Sequence, residues 1–175
     1  MSTLKVGTIQ DPTNSNTAMT IDSGGRVLQP ARPAFSVRNA RSTSFRGDNL
    51  FGGSDTTVIF DIGSDFATSG TNDGGFVAPV AGVYSFSVMC FTSNSAQNNA
   101  SGGYYLQFSK NGSQVGHKIY GYAQSQDYNR MDNTQLLQLA AGDVIKVDVP
   151  GSGLYVWGGS SDPARAAHFQ GHLVG

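Results

Sequence analysis

The chain has 175 residues, 38% of them hydrophobic and 13% charged, with 23 glycines and a formal net charge of −1 at pH 7. That balance provides no basic footprint for nucleic acid, and no apolar run approaches the length of a membrane span. One cysteine, Cys90, excludes an internal disulfide, and Met1-Ser2-Thr3-Leu4-Lys5 lacks the apolar centre of a signal peptide, so synthesis in cytoplasm is expected.

Residues 1–32 differ from the rest. Leu4 to Gln10 alternates apolar and polar residues, and Asp11 to Asn16 is a polar break. Ala18 to Asp22, Ser23-Gly24-Gly25 and Arg26 to Leu28 predict a hairpin, with the glycines free to take positive φ. A lone hairpin is marginal in water, so this arm is expected to pack on copies of itself or on another protein. Pro30-Ala31-Arg32-Pro33 forms a stiff junction to a second unit spanning 33–175.

Within that unit Ala34 to Arg38 predicts a strand, Asn39 to Thr57 a polar excursion holding Phe45, Leu50 and Phe51, and Thr56 to Asp61 a second strand. Phe76-Val77 is a short strand that Pro79 stops. From Val83 the chain alternates, with Tyr84, Phe86, Val88 and Cys90 on one face, as expected of a central sandwich strand. Ser93 to Gly103 predicts an exposed loop. Tyr104 to Ser109 and Val115 to Tyr122 follow as strands about a Lys110-Asn111-Gly112 turn, and then a polar connection from Ala123 to Asp132. Thr134 to Leu139 and Val144 to Val149 predict a hairpin about Gly142-Asp143, and Ala167 to Leu173 a closing strand.

Several of these pieces are similar to one family. Gly75-Phe76-Val77-Ala78-Pro79-Val80-Ala81-Gly82-Val83-Tyr84-Ser85-Phe86 resembles the centre of the C1q-like head, the jelly roll shared with the tumour-necrosis-factor superfamily. Pro33 to Arg38, Val58 to Asp61, Leu106 to Gly112, Leu136 to Val149 and Ala167 to Leu173 resemble its other strands in order. The resemblance implies an all-β antiparallel jelly-roll sandwich, a closing strand lying centrally beside the first, and a homotrimer. The leader LKVGTIQ…AMTIDSGGRVLQPARPAF is similar to the start of structural and fibre-like proteins of tailed bacteriophages.

The sequence holds no nucleophile elbow, P-loop, dinucleotide glycine fingerprint, HExxH or paired-cysteine metal motif, and no enzyme activity is expected. Asp55, Asp61, Asp65 and Asp73 gather in one region, and several C1q-like heads bind calcium. The spacing lacks the alternating oxygen ligands of a calcium loop, and turn-forming aspartates are the simpler reading. His168 and His172 share the face opposite Phe169. About 13 Å apart along one strand, they cannot share an ion within a chain. Three copies could form a ring at the axis of a trimer. An ordinary polar face explains them more simply.

The expected function is structural and adhesive. The chain reads as a homotrimeric virion surface protein, with residues 1–32 docking on capsid or tail proteins and outward loops meeting a host glycan or protein. Tyr128, Tyr155 and Trp157 are the contact candidates, since exposed aromatic residues lead binding hot spots. Covering the sandwich end is their alternative role. A capsid decoration protein is the nearest rival, distinguished by copy number per particle. A secreted recognition protein is disfavoured by the missing signal sequence and collagen repeat.

Overall fold

Alternating apolar residues and frequent turn formers give strands throughout. The computed structural model describes residues 5–40, 49–91, 104–121, 130–150 and 166–175, and every regular element among them is a β-strand. An amino-terminal sheet holds β1 (Thr8–Gln10), β2 (Thr17–Ile21) and β3 (Val27–Leu28) in that order.

The head follows with β4 (Ala34–Asn39), β5 (Thr56–Ile62), β6 (Phe76–Val77), β7 (Gly82–Phe91), β8 (Tyr104–Lys110) and β9 (Ser113–Gly121). It continues with β10 (Arg130–Leu139), β11 (Val144–Asp148) and β12 (Ala167–Leu173). Five strands form one sheet in the order β10-β7-β12-β4-β5, and four form the other in the order β6-β11-β8-β9. All pairs are antiparallel. The closing strand β12 lies between β7 and β4, as the resemblance implies.

The two sheets bury an aromatic core between them. On β7 the alternation holds to the end: Tyr84, Phe86, Val88 and Cys90 are all buried, with partly buried neighbours between them. Phe35 stacks on Phe76 with ring centroids 4.9 Å apart and meets Phe169 edge-on at 4.9 Å. Offset and edge-to-face pairs of this kind add to what area burial alone contributes. Burial, with a smaller push from Asp132, drives the Cys90 thiol up to about 12, so the thiolate is scarce at neutral pH. Cys90→Ser is therefore expected to lose about 1–3 kcal/mol by placing a hydroxyl in an apolar site. Urea unfolding checks this, together with slow labelling of the native thiol.

The structure overturns the expected hairpin between the tenth and eleventh strands. Thr134 to Leu139 and Val144 to Val149 do not pair as a hairpin. β10 pairs with β7 in the larger sheet, whereas β11 pairs with β6 and β8 in the smaller. The turn chemistry itself is as expected, since Gly142 has φ 86° and Asp143 Oδ2 accepts the Ala140 N–H at 2.8 Å. Its backbone, however, bonds to Ala78 beside β6 (Gly142 N to Ala78 O, Ala78 N to Asp143 O) and carries the chain from one sheet to the other. β10 also begins at Arg130, inside the stretch read as a connection.

Polar side chains join the two sheets where β10 meets β9. Gln135 Nε2 donates to His117 O and to Asn133 Oδ1, both at 2.9 Å, and His117 N donates to Gln135 Oε1 at 3.2 Å. Gly116, at φ 67°, lies against this amide, where a Cβ would meet Gln135 Oε1 at 1.5 Å. A side chain at this left-handed position would have to displace the amide from its bonds.

Candidate functional site

The head presents a patterned face on the five-stranded sheet, away from the core. Register alone places three rows of side chains across it. Asp132, Met89, His168, Arg38 and Thr57 form the first row. Thr134, Ser87, Gln170, Ser36 and Phe60 form the second, and Leu136, Ser85, His172, Ala34 and Ile62 the third. The centre is small and polar; Thr134 Oγ1 donates to Ser87 Oγ at 3.0 Å across it. A depression of 320 Å³ lies there, between Phe60, His172 and the serines, with Gly171 beneath.

Each margin carries exposed apolar side chains. Leu136 on β10 is 66% exposed, and on β5 Ile59 is 53% and Phe60 49% exposed. β5 is an edge strand, and an edge carrying exposed apolar side chains invites association. The two margins are chemically unlike, one a single leucine and the other an aromatic and aliphatic strand.

His168 and His172 stand on this face, on the opposite side of β12 from buried Phe169, as the alternation predicts. Among the described residues no three His, Cys, Asp or Glu side chains group as metal ligands. Two of the clustered aspartates are engaged in turns. Asp61 spends both oxygens on the N–H groups of Asp65 and Phe66, at 3.1 and 3.0 Å, and Asp73 Oδ2 accepts the Gly53 N–H at 2.8 Å. Burial, with the charge of Asp61 beside it, pushes the Asp65 carboxyl above its usual range. Tyr128, Tyr155 and Trp157 lie outside the described residues.

The amino-terminal segment meets the sandwich at Arg32, whose Nε donates to Leu173 O at 2.7 Å and whose Nη2 donates to Val174 O. Within the amino-terminal sheet, Ile9 pairs with Met19 and Ile21 with Val27, so all four share one face. Ile9, Ile21 and Val27 are exposed, with no second layer over them among the described residues.

Sequence reasoning missed Leu50 and Phe51, which lie in a polar stretch yet are fully buried. Asn39 Nδ2 holds Leu50 O at 3.0 Å, and Leu50 N donates to Val147 O at 2.7 Å, so distant strands capture the segment. The one available signal was an adjacent Leu-Phe pair.

The C1q domain profile matches residues 34–174. No curated protein matches the sequence. Among solved structures, the globular domain of zebrafish complement 1qA protein is similar at TM-score 0.60 and 17% identity, over 82% of this chain and 98% of that one. Murine APRIL is similar at TM-score 0.53 and 13% identity, over 81% and 99%. The TNF protein Eiger from S. frugiperda is similar at 0.51 and 15%, over 82% and 94%. At such identities the likeness concerns the fold.

Proposed function

The chain belongs to the C1q domain family, and on that premise we propose that it is the subunit of a homotrimeric surface protein of a tailed-phage particle. Its arm anchors the trimer and its head meets the host surface. The observation that carries the trimer is the pair of unlike apolar margins, Leu136 on β10 and Ile59 with Phe60 on β5, at opposite edges of one sheet. A contact between two different patches is heterologous and closes only as a ring. The small polar centre between the margins lets neighbouring copies approach closely.

The anchoring role rests on the arm. Its sheet has an apolar face that three short strands cannot bury alone, and its leader resembles those of phage structural proteins. Particles lacking the native protein provide the test. Full-length chain is expected to bind them, and residues 31–175 alone to fail. Wild-type binding by the truncated head would place the docking surface on the jelly roll instead.

A further inference from the structure

We propose that the outer face of the four-stranded sheet holds a binding groove for a neutral, hydroxyl-rich ligand, namely a saccharide. The proposal deepens the adhesive reading and rests on it for its biological purpose. A groove of 430 Å³ crosses β11 where Val144, Lys146 and Asp148 point away from the core, with Ser109 of β8 alongside and Asn49, Thr71 and Asn72 on its far wall. That volume falls in the range of about 300–1,000 Å³ typical of small-molecule sites.

Two polar groups in the groove are already desolvated. Asp148 is 6% exposed and Ser109 3%. Asp148 Oδ1 accepts the Asn49 N–H at 2.8 Å, and its other oxygen has no donor among the described residues. Lys146 Nζ donates to Thr71 O at 3.3 Å, which leaves further protons free on the ammonium. Beside Asp148 on the ladder, Gln107 has a buried Oε1 without a partner.

Charge selects the ligand class. Lys146 repels a cation and Asp148 repels an anion, and an apolar ligand would strand both without hydrogen bonds. Adjacent hydroxyl groups, each able to donate and accept, satisfy the carboxylate and the ammonium together. Farther along the same face of β8, Tyr105 and Tyr120 form a ring pair with centroids 5.6 Å apart, and Lys118 Nζ sits 4.2 Å from the Tyr105 ring centre. Ser109 lies four positions beyond Tyr105, about 13 Å along the strand. A short oligosaccharide spans that distance, with one unit in the groove and another stacked on the Tyr120 ring.

Saturation-transfer NMR on the full-length chain tests this with lactose, maltose, N,N′-diacetylchitobiose and their tetrasaccharide homologues as probes. At least one is expected to bind. Asp148→Asn keeps the acceptor for Asn49 and Lys146→Met lies on the surface; each should weaken binding about tenfold, the worth of one charge-assisted hydrogen bond. Tyr120→Ala should weaken the tetrasaccharide more than the disaccharide. No binding by any probe, or undiminished binding in both groove variants, overturns the proposal. Attachment to host cells, measured in parallel, separates the two readings. Saccharide binding without attachment supports the groove and removes the adhesive role, whereas attachment intact in both groove variants keeps the role and overturns the groove.

Discussion

Phe86→Ala is expected to cost the chain about 3–5 kcal/mol, the range for truncating a fully buried aromatic side chain. Phe86 belongs to β7 of the larger sheet, but its ring lies 5.6 Å from Phe76 on β6 and 6.1 Å from Phe108 on β8, both in the smaller. It also lies 6.0 Å from Phe169 on β12. Removing it therefore opens a cavity in contact with both layers. Gly171 borders that cavity and has no side chain to lean in, so relaxation is limited. The midpoint of urea unfolding should fall with an unchanged slope. A midpoint matching wild type would mean that β7 does not occupy the centre of the core.

The reverse change, at Gly171, should be nearly as damaging. A Cβ there would meet Phe86 Cδ1 at 2.6 Å and Phe35 Cε1 at 2.8 Å, both on rings packed on every side. β12 cannot withdraw, because β4 and β7 flank it through continuous ladders. Gly171→Val adds three carbons where none fits. The expected loss is about 3 kcal/mol, the upper end for overpacking, read by the same unfolding measurement. Gly171→Ala should fall between this variant and wild type.

How much of this was legible depended on whether the cause was local. β7 and β12 were readable because a period of two with one apolar face belongs to the strand itself. The hairpin expected of β10 and β11 failed for a definite reason. A Gly-Asp turn between two alternating runs looks the same whether the strands pair or pass to opposite sheets, and the deciding bonds come from Ala78, some sixty residues earlier. Ile59 and Phe60 read as ordinary strand residues, and their exposure follows from β5 lying at the sheet edge. The groove at Asp148 and Lys146 had no sequence signal, since its walls come from segments near residues 49, 71 and 109. The three histidine and glutamine positions of β12 were placed on the correct face, because alternation fixes that directly.

Three copies are expected to assemble through the margins of the five-stranded sheet. Light scattering on the full-length chain at micromolar concentration measures this most directly. Wild type should show the mass of three chains. Phe60→Asp with Leu136→Asp, at two exposed positions whose substitution leaves the core untouched, should show the mass of one chain. A single-chain mass for wild type, or a trimer that survives both substitutions, would contradict it.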